Sequence, residues 1–143
     1  MKLIIQRVNK ASVSVDDKVV GEINKGLFIL LGIAEGDSED EVYAMAQKIS
    51  KLRIMADEND KMNLSVLDTK SSILVVSQFT LIADTKKGNR PSFVKAANPK
   101  KAEKLYSLFI SELKALGIKV ETGEFGKYMK IDTELDGPVT IVL

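Results

Sequence analysis

The period of apolar and polar positions changes several times along the chain, and each change predicts an element. Residues 3–8, LIIQRV, read as a strand. ASVSV then alternates: Ala11, Val13 and Val15 on one side, Ser12 and Ser14 on the other, the period of a half-buried strand. Asp16-Asp17 marks a turn, and residues 18–23 pair back as a hairpin. Gly26 opens LFILLGIA, an apolar run short enough for a central buried strand. From Asp37-Ser38 the period becomes helical, with Val42, Met45, Ala46, Ile49 and Leu52 as an apolar stripe. Ser38 and Glu41 fit a capping box, and acids crowd the first turn, where the helix dipole favours them. ADENDKMN is a polar turn or hairpin tip. ILVV at 73–76 is a buried strand, after which Ser77, Gln78 and Thr80 bring polarity abruptly around Phe79. Asn98 as N-cap and Pro99 at the first position start a second helix, whose core face is Ala102, Leu105, Tyr106, Phe109 and Leu113 and which Gly117 ends. Residues 118–120 form a strand, TGEFGKYM a glycine-flanked loop, and a short strand leads to GPVTIVL, which Pro138 opens as a closing strand. Strand runs with two separated helices predict an α+β fold.

The 143 residues make one domain spanning 1–143, large enough for a single real core. No apolar run approaches the length of a membrane span, and the first residues lack a leader pattern, so the expectation is a cytoplasmic protein. There is no cysteine and no histidine. Disulfides, thiolate nucleophiles, Cys-His zinc sites and every triad built on histidine are thereby excluded. Any catalysis must rest on hydroxyls, carboxylates, lysines, backbone amides or the substrate itself. Net charge is only +1, yet residues 86–104 carry +6 and the remainder −5. Such asymmetry steers a polyanion to one face, or simply marks a solvated loop and helix surface.

Four stretches carry candidate chemistry. In VSQFT a buried strand ends in Ser77, Gln78, Phe79 and Thr80, where hydroxyls, an amide and free backbone N–H groups can bind an ester; a strand running out to solvent would read the same way. In KKGNRPSF, Arg90 offers a planar fork for phosphate and Phe93 a face for a base, beside Lys86 and Lys87; the plainer alternative is a charged loop with one anchoring aromatic. In EFGKYM, Phe125 and Met129 flank a flexible turn that lines a pocket or packs inside a hairpin. Gly137-Pro138 is either a turn or a device that aims two carbonyls at a ligand.

Taken together, VSQFTL, KKGNRPSF, TGEFGKYM and DGPVTI in this order, with MKLIIQRVNKASVSV at the start and KISKLRIMADENDKMNLSV after it, closely resemble the D-aminoacyl-tRNA deacylase family from end to end. The resemblance implies a barrel-like, mixed and largely antiparallel sheet with two main helices, in a homodimer whose active site lies at the subunit interface. It implies hydrolysis of the ester of D-aminoacyl-tRNA, and of glycyl-tRNA mischarged on tRNA-Ala, without cofactor or metal, and a partner that is RNA rather than DNA or membrane. Ser77, Gln78, Phe79 and Thr80 would form one wall, with backbone N–H groups near Phe79 and Thr80 holding the oxyanion and Phe79 supporting the terminal adenosine. Phe125 and Met129 would line the pocket. The partner subunit would present Gly137, Pro138, Val139 and Thr140, a cis Gly-Pro pair whose carbonyls receive the substrate ammonium and so exclude L residues. The adenosine 2′-OH would help activate water; a second family model makes the Thr80 hydroxyl a nucleophile. Lys86, Lys87 and Arg90 are candidates for the RNA backbone track. The sequence departs from the family pattern at Asp136, where asparagine is usual, and at Lys127-Tyr128, where a small residue and an acid are usual. The alternative function is a tRNA 3′-end binding protein with no turnover.

Overall fold

A computed structural model describes residues 1–143. Eight strands and two helices follow in the order β1 (Lys2–Val15), β2 (Lys18–Ile23), β3 (Gly26–Gly32), α1 (Glu39–Ser50), β4 (Met55–Ala56), β5 (Met62–Leu64), β6 (Ser72–Ser77), a 3-10 turn (Phe79–Ile82), α2 (Pro99–Ala115), β7 (Val120–Thr122) and β8 (Lys130–Val142). The fold is α+β, with a mixed sheet ordered β2-β1-β3-β6-β7 and β8 on the other edge of β1. β1 is antiparallel to β2, β3 and β8, while β3, β6 and β7 run parallel. The sheet curls until β7 meets β2. A Cβ on Gly21 would lie 2.5 Å from the Thr122 carbonyl oxygen, so only glycine lets the barrel close there. No helix is long and apolar enough to cross a membrane.

The sequence pattern reads β1 as two pieces because the strand turns its faces over midway. Val8 pairs with Leu135 and Lys10 with Glu134, so Asn9 is an extra residue, a bulge. One inserted residue reverses alternation. Before it, Leu3 and Ile5 face the helices; after it, Ala11 and Val13 face the barrel interior. The parallel strands split likewise. Leu27, Ile29, Leu31, Ile73 and Val75 pack under α1 and α2 around Ile49, Phe109 and Leu113, whereas Phe28, Leu74 and Val76 point into the barrel. The barrel filling is thus small and the main core lies between sheet and helices.

Both helix starts match their sequence signals. Ser38 and Glu41 close a reciprocal capping box, and the Asn98 side chain accepts the Lys101 N–H ahead of Pro99. The end of the chain differs from expectation. Pro138 does not open a strand: β8 is continuous from Lys130 to Val142, and Pro138 sits inside it. Proline is tolerated there because residues 136–139 bulge away from β1. Pairing jumps from Val8–Leu135 to Gln6–Thr140, leaving those four residues opposite Arg7 alone, outside the ladder.

Candidate active site

Strand β6 delivers Ser77 to the rim of a cavity of about 640 Å³. The chain then turns sharply. Gln78 N–H donates to Leu31 C=O, and the 3-10 turn begins its ladder with Leu81 N–H on Gln78 C=O. As the first two residues of that turn, Phe79 and Thr80 have N–H groups without a partner inside it. The Gln78 side-chain amide donates to the Thr80 hydroxyl oxygen. An amide cannot take up a proton, so Thr80 has no general base in that neighbour.

The Phe79 ring is 58 % exposed, held edge-on against Phe93 with centroids 5.1 Å apart. The opposite side of the cavity comes from the loop after β7. Phe125 tilts against buried Tyr106, whose hydroxyl donates to Val75 C=O at 2.8 Å; burial pushes that phenol well above its ordinary value. Met129 folds back over Gly123, where a Cβ would lie 2.5 Å from its sulfur. Lys127 and Tyr128 stand at the mouth, and Tyr128 is almost fully exposed.

The cavity therefore brings together Ser77, Gln78, Phe79, Phe125 and Met129, with Phe93 beside them. Thr80 is tied to it through Gln78 but does not line it. Gly137, Pro138, Val139 and Thr140 do not line it either. Gly137, Pro138 and Val139 occupy the β8 bulge and Thr140 re-enters the ladder opposite Gln6; the Gly137–Pro138 peptide is cis and Gly137 has φ +127, a region L side chains avoid. Lys87 and Arg90 stand exposed at the tip of the basic loop, and Lys86 faces a separate cleft.

Arg7 was not among the residues singled out from sequence. Its buried guanidinium donates from Nη1 to Ile54 C=O at 2.9 Å, and its Nε lies 2.9 Å from Asp136 Oδ2. That Nε–H points off the line to the carboxylate, making an ion pair without a well-directed hydrogen bond. A Cβ on Gly137 would come within 3.5 Å of Nη2. Arg7 therefore backs the whole 136–139 bulge. Asp136, a departure from the family pattern, is an ion-pair partner turned inward rather than a solvated charge. The available sequence signal was a cation at an inward position two residues after Ile5.

A model of the D-Tyr-tRNA(Tyr) deacylase family matches residues 4–143. The chain belongs to this family. Proteins named D-aminoacyl-tRNA deacylase from Lactobacillus delbrueckii subsp. bulgaricus and Thermosipho melanesiensis are 55 % and 51 % identical, each aligned over 100 % of this chain and 99 % and 96 % of their own length. A solved structure titled c-Myc DNA Unwinding Element Binding Protein superposes with a TM-score of 0.94 at 40 % identity, over 100 % of this chain and 97 % of that one. A structure described as a probable eukaryotic D-amino acid tRNA deacylase shares the fold at TM-score 0.89 and 15 % identity, covering 99 % and 97 %.

Proposed function

We propose that this chain is a D-aminoacyl-tRNA deacylase, hydrolysing the ester between a D-amino acid and the terminal adenosine of tRNA. The observation that carries the reading is family membership across nearly the whole chain, with Ser77, Gln78 and Phe79 of the SQFT segment lining the large cavity. In this reading Phe79, braced by Phe93, supports the adenine. The unpartnered Phe79 and Thr80 N–H groups stabilise the negative charge that develops on the ester oxygen. Water is activated with the help of the neighbouring 2′-OH, a group RNA has and DNA lacks. The absence of histidine and the lack of a base at Thr80 support a hydroxyl supplied by the substrate.

The second half of the site comes from another copy of the chain. Two observations support this. The Gly137-Pro138 bulge is outside the cavity of its own chain, and the strand that bears it is an exposed edge with Leu135 and Val142 uncovered. In a homodimer the bulge from one subunit caps the partner's cavity. Its carbonyls fix the substrate ammonium, so an L side chain meets backbone while a D side chain points to open space. Glycine has no side chain to exclude, which makes glycyl-tRNA mischarged on tRNA-Ala a second substrate. Aminoacyl-tRNA as the partner supports a cytoplasmic location.

The test is single-turnover deacylation of matched D-tyrosyl- and L-tyrosyl-tRNA with chelator present. Rapid loss of the D ester with survival of the L ester is expected. Equal, uncatalysed loss of both would instead make the protein a tRNA 3′-end binder without turnover.

A further inference from the structure

A second cleft, of about 430 Å³, begins where the active-site wall ends. Phe79 at the start of the 3-10 turn lines the large cavity, and Ile82 at its end lines the cleft. A four-residue 3-10 turn is roughly 8 Å long. The cleft floor is apolar, from Met1, Ala34, Ile82 and Ala83. Its polar rim is Lys2, Lys86, Lys95, Asp84 and Thr85.

The charges there are unequal in their freedom. Both oxygens of Asp84 are engaged, Oδ1 by the Lys86 N–H at 3.0 Å and Oδ2 by Lys95 Nζ at 3.2 Å. The N-terminal ammonium is buried against Asp37 at 2.5 Å and contributes no net charge. Neither the Lys2 nor the Lys86 ammonium is in ion-pair contact with a carboxylate, although Lys2 is near enough to Asp84 to help hold that carboxyl down. The two come from opposite ends of the fold. Lys2 is fixed by pairing with Gly32 and by the buried terminus, and Lys86 by the hairpin that Asp84 and Ser92 close with reciprocal backbone bonds of 2.8 and 2.9 Å. Elsewhere in the basic stretch Lys104 pairs with Glu39 and Lys101 donates to Glu35 C=O, while Lys87, Arg90 and Lys100 are unpaired but do not line the cleft. Free positive charge on a held backbone is thus found next to the cavity.

We propose that this cleft is a phosphate subsite for the single-stranded 3′ end of the RNA whose terminal nucleoside enters the large cavity, with Lys2 and Lys86 as the phosphate ligands and Asp84 setting the position of Lys86 and Lys95. The proposal rests on the RNA-ester reading above. Two ammonium groups neutralise one or two phosphates, and the apolar floor carries the sugar edge of the strand. The subsite explains how substrate is drawn in by the molecule's one concentrated positive region although net charge is only +1.

The test compares two probes of stated chemistry. One is the non-hydrolysable amide of D-tyrosine with 3′-amino-3′-deoxyadenosine. The other is the same group at the 3′ end of a trinucleotide RNA. The unmodified protein is expected to bind the RNA-linked probe roughly tenfold tighter at low salt. In the Lys2→Ala/Lys86→Ala double variant most of that gain disappears, and the salt slope falls by about 1.4, as for two single-strand phosphate contacts. Lys86→Glu weakens the RNA-linked probe further. Lys25→Ala/Lys70→Ala, at the far end of β3 and β6, controls for net charge and retains the gain. A double variant that keeps the full gain and slope overturns the subsite while the deacylase reading stands. No hydrolysis of D-aminoacyl-tRNA by the unmodified protein overturns the deacylase reading alone, and the subsite then falls only if the RNA-linked probe also binds no tighter than the nucleoside probe.

Discussion

Arg7 occupies a position in β1 where alternation asks for an apolar side chain. It persists there because Ile54 C=O and Asp136 receive its charge and donors. Arg7→Met would leave that carbonyl and a half-buried carboxylate without partners. The expected cost is about 2 kcal/mol, discounted because Asp136 remains in part accessible to water. Activity should fall by more than this destabilisation explains, since residues 136–139 have no other support from β1. Arg7→Lys restores charge but not the planar fork, and should recover stability better than rate. Urea midpoints and single-turnover rates on the same variants separate the two effects; a normal rate in a destabilised Arg7→Met protein would show that Arg7 has no positioning role. Thr80 makes the opposite prediction. Its neighbour is an amide, so Thr80→Val should keep the rate within about tenfold, whereas a substrate ending in 2′-deoxyadenosine should lose about 10²–10⁴. The reverse pattern would make Thr80 the nucleophile.

Among the elements, the connections are held by carboxylates that accept N–H bonds. The Lys86 N–H, then Lys95, keep Asp84 below the usual carboxylate range. The Lys61 and Asn59 N–H groups do the same for Asp57, and the hydroxyl and N–H of Ser65 for Asp68. A pKa lowered on folding contributes stability that is complete above the unfolded value, near 4, and is lost as pH falls through the folded value. Urea midpoints should therefore be flat between about pH 5 and 7 and drop below about pH 4, with a shallower drop in an Asp57→Asn/Asp68→Asn/Asp84→Asn triple variant. An equal drop would place the acid sensitivity elsewhere. In α2, Tyr106→Phe removes a buried hydroxyl from Val75 C=O, at an expected cost of about 1 kcal/mol by the same assay. These elements were visible in the sequence to different degrees. Helices declare themselves through caps and a stripe, which is why α1 and α2 begin at the expected residues. The SQFT turn was legible because polarity changes abruptly at a strand end. The two bulges of β1 and β8 were not, because an inserted residue leaves no mark in composition and only the partner strand reveals which residue is extra. The pairing of Arg7 with Asp136 was hidden for the same reason: 129 positions separate them in the chain.

At the scale of the whole molecule, β8 poses the problem of an uncovered sheet edge. It is 13 residues long and exposes the apolar side chains of Leu135 and Val142, a liability that proteins remove by covering. In the proposed homodimer a second copy covers it in a symmetric way, and symmetry then requires that whatever one subunit lends to its partner it also receives. Light scattering should give twice the chain mass, and Leu135→Asp/Val142→Asp should give monomers that have lost activity. Whether the site itself is shared is decided by mixing two inactive proteins. Phe79→Ala damages the cavity wall. Gly137→Val damages the bulge, because φ +127 is closed to a branched side chain and its Cβ would sit 2.9 Å from Val139. If wall and bulge come from different subunits, a dimer with one copy of each variant contains one site with both defects and one with neither. Random assortment makes half the dimers mixed, so about a quarter of the unmodified rate should return, although each variant alone is inactive. If wall and bulge act within one chain, every site in the mixed dimer carries a defect and nothing returns. Recovery requires only that subunits exchange, which differently tagged copies report independently, so an exchanged but inactive mixture would place the bulge outside the partner's site.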